Sequence, residues 1–401
     1  MSKLEEMLKY VSEHNDFYKN RIKEYGIKDP LDITQWPILT RKELQENRYN
    51  MFSDGYKSKY FNQQLRRQSS SGSSGVPVNV YWDYKDWYAS NLSLWRKRLQ
   101  WYGIHPGDKY VMFTLNAFNI KNDGETVYYI NDPANILSVN VSLIQNESGY
   151  EKLVDIINNF EPKWFYIQPF VLNRLLQAYK RTGKIPPKTL KYIESVGELL
   201  ASDLRRRAIE FFNVPLANMY GSEEMNSIAY ECPKHHMHIH QDNVYLETTD
   251  NGEAIITNLN NFAMPLIRYN QGDIIVLNRT IDPYTNGNVS KFIGNIKGRR
   301  LDSIILDNGI ELNSFMLFEV MAEVNNQFGD IMLCYRYVYY KTQKKLKCFI
   351  NIIDKKWYNN VSKTIESVFK SKTKNIGITF DICLNESVST DKKFRIFEIV
   401  E

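Results

Sequence analysis

The chain contains no apolar run approaching the ~18 residues of a membrane-spanning helix, and its start, Met-Ser-Lys-Leu-Glu-Glu, lacks the apolar stretch of a secretory leader. It has four cysteines, Cys232, Cys334, Cys348 and Cys383, spaced too widely for a CxxC pair, which argues against a disulfide framework and suits a reducing compartment. Charge bias is missing too: 51 basic and 46 acidic residues leave only +5. The basic runs Arg205–Arg207 and Lys344–Lys347 are short and read as solvated faces rather than a nucleic-acid stripe or a polybasic anchor. These absences predict a soluble, cytoplasmic protein with no nucleic-acid and no membrane partner.

What the chain does have is length and core: 401 residues with 43% hydrophobic content fill two or three cores. A helix is expected over residues 3–25, and Thr40 with Glu43 three residues on forms a capping box. A helix over Asp83–Trp101 follows. Strands at Tyr110–Leu115, Trp164–Ile167, Leu190–Val196 and Val214–Met219 then interleave with helices at Tyr150–Phe160, Pro169–Tyr179 and Ser202–Phe212. From Val244 the pattern turns strand-rich, with turn signals at Asp250–Gly252 and Asn270–Gly272. Near residue 298 it changes again, to a hairpin over Ile304–Leu312, a helix, two strands, a helix and a strand ending at Leu384. The expected fold is α/β: a large multi-layer N-terminal domain with mixed sheets (1–298) and a small α+β C-terminal domain (299–401).

Ser69–Pro77, reading Ser-Ser-Ser-Gly-Ser-Ser-Gly-Val-Pro, is the stretch around which the rest is organised. Gly72 and Gly75 permit positive φ, and Ser70, Ser71, Ser73 and Ser74 add hydroxyls beside bare N–H groups, a combination suited to phosphate oxygens. The alternative is a flexible linker, but a linker belongs between domains and this run sits inside a structured region. It is no Walker A loop, since no Lys follows the second Gly. Four further stretches carry chemistry: Ser195-Val196-Gly197-Glu198; Tyr220-Gly221-Ser222-Glu223-Glu224, with two carboxylates at a strand end; Ile267–Asp273, with an acid after a Gly; and Gly298-Arg299-Arg300-Leu301-Asp302. Any one alone reads as a turn flanked by solvated charge.

In this order the stretches resemble the acyl-adenylate-forming superfamily, and within it phenylacetate–CoA ligase-like enzymes, over most of the chain from Trp36–Glu43 to Lys392-Lys393-Phe394-Arg395. The resemblance implies an ATP- and Mg²⁺-dependent ligase with a mobile C-terminal lid. Such an enzyme activates a small carboxylic acid, which the resemblance suggests is aromatic or otherwise hydrophobic, as an acyl-adenylate and passes the acyl group to CoA, a carrier-protein phosphopantetheine or an amine. Ser70–Gly75 would be the phosphate loop, Gly197 and Glu198 the segment flanking adenine, and Tyr220–Glu223 the nucleotide motif. Glu224 would be the Mg²⁺ ligand, Asp273 the ribose-binding acid and Arg299 the basic residue near ribose and phosphate. Phe113, Asn116 and Phe118 fall where the acid's pocket would be lined, though core is an equal reading. Lys393 or Lys392 would be the catalytic lysine, with Lys393 favoured by the family pattern. The chain departs from that pattern at Glu223 (usually Ser or Thr), at Val78 (often Lys) and at Leu301 (often an acid), which keeps a catalytically silent nucleotide-binding or scaffold member as the alternative.

Cys232, His235 and His238, in a stretch that also holds His236 and His240, have a spacing that could bind structural Zn²⁺. Against this, relatives carry a Cys/His-containing strand here that need not bind metal.

Overall fold

The computed structural model describes residues 1–69, 78–114, 127–144, 147–281, 289–299, 303–306, 311–328, 332–352, 354–373, 378–384 and 397–401. The chain divides into two compact units, Met1–Gly103 with Met219–Arg300, and Ile104–Asn218 with Leu301–Glu401. Among the described residues no helix is long and apolar enough to cross a membrane.

The first unit opens with two helices, Lys3–His14 and Asp16–Glu24, where the apolar spacing predicts one. Asn15 makes the break. It takes extended dihedrals (φ −135°, ψ 110°), and its side-chain oxygen accepts from the Tyr18 N–H at 3.2 Å to start the second helix. Its amide donates to Met51 O (2.9 Å) and Ser53 Oγ (3.1 Å), so the interruption is held by buried partners. The capping box forms as expected: Thr40 and Glu43 satisfy each other's backbone N–H groups at the start of helix Arg41–Asn47. Just before it, Leu39 docks beside Tyr269 through Leu39 N–H to Arg268 O and Asn270 N–H to Leu39 O, each 2.9 Å. This contact fixes where Arg41 emerges.

Six strands of this unit pair antiparallel in the order Val244–Thr248, Glu253–Asn258, Tyr269–Ile281, Val289–Arg299, Met237–Ile239 and Asn226–Glu231, and the last of these pairs with the end of Leu216–Ser222. Asn270–Gly272, expected as a turn, lies inside the long strand Tyr269–Ile281. The register beside it slips between Glu253 and Ile255, and Gly272 has φ +85°, so the turn chemistry makes a bulge instead. Arg66–Ser69 and Asn79–Trp82, which flank the Ser/Gly run, pair antiparallel with Ser69 opposite Asn79. The helix after them, Tyr84–Tyr102, is capped by Asp83 and ended by Gly103 at φ +64°.

The second unit holds four parallel strands in the order Tyr192–Val196, Trp164–Ile167, Tyr110–Thr114 and Ile136–Asn140, with Tyr128–Asn131 antiparallel on the edge. Helices Glu147–Phe160, Pro169–Thr182 and Ser202–Phe212 bury their apolar stripes with it. Pro169 sits at the first helical position, where its missing N–H costs nothing. The C-terminal hundred residues have their own hydrophobic cluster and a four-stranded sheet in the order Thr379–Leu384, Lys345–Ile352, Met332–Tyr340 and Phe397–Val400. The central pair is antiparallel and the outer two pairings are parallel. Helix Ser314–Phe328 packs on Ser202–Phe212, where Asp203 Oδ2 accepts from Arg207 Nη2 (3.1 Å) and Asn325 Nδ2 (3.0 Å).

Candidate functional site

The strand Leu216–Ser222 ends in a turn at Glu223–Met225 that reverses into Asn226–Glu231. Gly221 is required there: a Cβ would lie 2.4 Å from the Asn226 carbonyl oxygen, backbone that has no room to yield. Beside it the ladder slips register, and Asn226 takes φ +58°. The two adjacent glutamates go to different places. Glu223 is exposed and its Oε2 accepts from Gln68 Nε2 at 3.3 Å, while the same Gln68 amide donates to Asn226 Oδ1 at 3.0 Å. Glu224 is 4% exposed, with Arg41 Nη1 3.6 Å from its Oε1 and the Tyr269 hydroxyl donating to Oε1 at 3.4 Å. Burial, reinforced by the Glu224 charge, pushes the Tyr269 phenol well above its usual range, so it remains a donor. Ser222 Oγ is buried with no hydrogen-bond partner among the described residues. An orphan hydroxyl beside a glycine-bulged strand end is what a bound ligand oxygen would satisfy.

Asp273 belongs to the bulge on the long strand. Its Oδ2 accepts from the Tyr220 hydroxyl and from Gln271 Nε2, both at 2.6 Å, and Gln271 Nε2 also lies 2.6 Å from the Tyr220 hydroxyl. Two side chains, one from each of two strands, thus hold one carboxylate oxygen in place. Gly272 N–H donates to Asn270 Oδ1 at 2.8 Å and fixes the bulge itself. Arg299 stands directly opposite Asp273 in the antiparallel register of Tyr269–Ile281 and Val289–Arg299.

In the second unit Gly197 has φ +77° at the end of strand Tyr192–Val196. Glu198 Oε2 accepts the Phe170 N–H at 3.1 Å, in the first turn of helix Pro169–Thr182, where its charge also suits the helix dipole. Phe113 is buried in the core at 1% exposure, edge-on to Phe165. Ser70, Ser71, Gly72, Ser73, Ser74, Gly75, Asn116, Phe118, Lys392 and Lys393 lie outside the described residues.

The Cys/His stretch differs from its spacing. The atoms brought together, within 4.8 Å of one another, belong to Cys232, His236 and His238. His235 turns away at φ +61°, with Nδ1 3.1 Å from Glu231 Oε1. The i, i+3 spacing from Cys232 presumes a regular turn, and the left-handed residue hands that place to His236. The sequence assigns no role to Arg41, Gln68, Tyr269 or Gln271, although Tyr269 and Gln271 lie within the Ile267–Asp273 stretch and Arg41 directly follows the Thr40 cap.

No protein-family profile matches the chain. In overall geometry it is similar to the crystal structure of 2-hydroxyisobutyryl-CoA ligase in the postadenylation state in complex with R3-HIB-AMP, with a TM-score of 0.74 at 17% identity over 100% of this chain and 88% of that one. The fold is therefore that of the adenylate-forming ligases. By sequence it is 24% identical over 329 residues to the phenylacetate-coenzyme A ligase of Thermus thermophilus, covering 76% of this chain and 70% of the relative. It is 25% identical over 334 residues to that of Pseudomonas putida, covering 76% and 71%. By fold the chain is like the adenylate-forming ligases, and by sequence it is similar to phenylacetate–CoA ligases.

Proposed function

We propose that the chain is an AMP-forming acid–thiol ligase that activates a small, aromatic carboxylic acid with ATP and transfers the acyl group to the thiol of CoA or of a carrier-protein phosphopantetheine. The observation that carries this reading is the strand end at Tyr220–Glu224. There an orphan hydroxyl on Ser222, a buried carboxylate on Glu224 and a carboxylate on Asp273, held by Tyr220 and Gln271, occur in the order the superfamily uses. Phenylacetate–CoA ligases among its relatives support an aromatic acid.

The reaction joins a substrate carboxylate oxygen to the α-phosphorus and breaks the bond to pyrophosphate. Negative charge grows on the α-phosphoryl oxygens, and fixed N–H, O–H and cationic groups answer it without covalent bonds to the protein. Asp273 takes the ribose hydroxyls, because a vicinal diol matches a single carboxylate. Ser222 Oγ supplies the hydroxyl that Glu223 does not. The Ser70–Gly75 loop, Arg299 and Lys393 (or Lys392) are assigned to the phosphates and the acid carboxylate, and Gly197 and Glu198 to adenine. Residues 299–401 are assigned as the lid. Glu224 fits a Mg²⁺ ligand by its hard oxygens, and its contacts among the described residues fall on Oε1. Mg²⁺ bound there would neutralise phosphate charge.

A second reading, a silent nucleotide-binding member, is favoured by one observation: Arg41 already pairs with Glu224. Acid-dependent ATP–pyrophosphate exchange across a panel of aryl and aliphatic acids decides between them. Exchange stimulated by an aryl acid is expected, and background exchange over the whole panel would establish the silent reading.

A further inference from the structure

We propose that Cys232, His236 and His238 form a zinc site that staples the turn between strands Asn226–Glu231 and Met237–Ile239. The turn is built for it. Cys232 N–H donates to His236 O (3.0 Å) and His235 N–H to Cys232 O (2.8 Å). His235 at φ +61° then sends its own ring toward Glu231 and leaves His236 beside the cysteine. Register does the rest, setting His238 opposite Tyr230 on one side and Phe292 on the other.

Cys232 is fully buried, His238 is 5% exposed, and one ligand atom from each of the three residues lies within 4.8 Å of the others. Tetrahedral zinc with bonds of about 2.0–2.3 Å sets ligand atoms roughly 3.3–3.8 Å apart, a contraction that side-chain rotation supplies. His236 Nδ1 is buried with no hydrogen-bond partner among the described residues. An unsatisfied buried nitrogen is costly, and a metal bond removes that cost. Water is a poor substitute among these neighbours: Phe292 lies 5.2 Å from the His236 ring and 4.7 Å from His238, and Trp101 lies 5.0 Å from His238. One thiolate and two imidazoles suit a borderline-soft divalent ion, not a hard one. The neighbouring histidines are engaged elsewhere, His235 with Glu231 and His240 with Ser93 Oγ at 2.9 Å. Among the described residues no fourth Cys, His, Asp or Glu joins this group, so three protein ligands are assigned to the ion.

The strand Asn226–Glu231 separates this cluster from the Glu223–Met225 turn by roughly 17 Å of extended chain at about 3.3 Å per residue. The metal is thus a structural staple, and its fate is independent of whether the chain adenylates an acid. The test uses full-length, tag-free protein. Elemental analysis should find about one zinc per chain, and exchange into Co²⁺ should give a thiolate-to-cobalt charge-transfer band with tetrahedral d–d intensity. Chelation should lower Tm, and added Zn²⁺ should restore it. Cys232→Ser should abolish the charge-transfer band, His236→Ala should weaken Co²⁺ binding at least ~10-fold, and His235→Ala should leave it unchanged. Should the serine or alanine variants fail to fold, the wild-type cobalt spectrum still decides. Metal-free protein that binds no stoichiometric Co²⁺ while folded by circular dichroism would overturn the site. So would loss of binding in His235→Ala with retention in His236→Ala.

Discussion

Asp273→Asn tests the assignment of the ribose most directly. Alanine is the wrong probe: it would leave the Tyr220 hydroxyl and Gln271 Nε2, both in buried side chains, without the oxygen they share at 2.6 Å. Asparagine keeps an acceptor for them and removes the charge. Hydrogen bonds to a charged group contribute about 1.5–3 kcal/mol. Removing the carboxylate from a ribose diol should therefore cost about 2–3 kcal/mol, or roughly 30- to 150-fold in kcat/KM for ATP. KM for the acid should stay within about twofold, since uniform binding of one substrate is being removed. The decisive measurement is a cycle between enzyme and substrate, with ATP and 2′- or 3′-deoxy-ATP each assayed on wild type and variant by pyrophosphate exchange. If Asp273 holds the hydroxyl, deleting it after the carboxylate has gone should cost less than about threefold, a coupling near 2 kcal/mol. A deoxy penalty of full size in the variant would mean that the two groups never touch, and Asp273 would leave the nucleotide site.

Local grammar was legible where it closes on itself. The Thr40–Glu43 capping box and Pro169 at a helix start each need only a few neighbouring residues, and each appears as read. The errors share a cause, a distant partner overruling a local preference. Asn15 breaks an apolar stripe because Met51 and Ser53 receive its amide. Asn270–Gly272 spells a turn but becomes a bulge because Leu39 and Glu253 hold it in the sheet. The last strand, Phe397–Val400, went unread since its parallel partner, Tyr337–Tyr340, lies some sixty residues away. Ordered motifs pointed to Tyr220, Glu224 and Asp273, whereas the residues that position them, Arg41, Tyr269 and Gln271, are visible only once the strands are paired.

Three further outcomes are expected. Lys393→Ala should suppress acyl-adenylate formation yet spare thiol transfer from supplied adenylate, with Lys392→Ala mild; equal loss in both half-reactions, measured in single turnovers, would make the lysine structural. Burial pushes the Asp86 carboxyl up to about 6, with the Phe262 N–H opposing and Asp83 adding to the rise. Between the ordinary carboxylate range and that value the folded chain keeps a proton that the unfolded chain has lost, so stability falls as pH rises through the window. Asp86→Asn should therefore stabilise by about 1–2 kcal/mol at pH 8, below the ~3 kcal/mol ceiling of the full shift, and lose the gain near pH 4; urea midpoints that do not depend on pH would refute this. The last outcome concerns Glu224, whose burial beside Arg41 and Tyr269 admits two roles. As a Mg²⁺ ligand it meets phosphate charge, and Glu224→Gln should cut exchange ~10²–10³-fold while raising the Mg²⁺ needed for half-maximal rate. As no more than a partner for Arg41, the same change would strand a partly buried guanidinium and lower the urea midpoint without altering the Mg²⁺ dependence. Glu223→Gln should be mild, because Glu223 is exposed and the variant keeps an acceptor for the Gln68 amide that lies 3.3 Å from its Oε2. A damaging Glu223→Gln beside a harmless Glu224→Gln would move the metal assignment one residue along the turn.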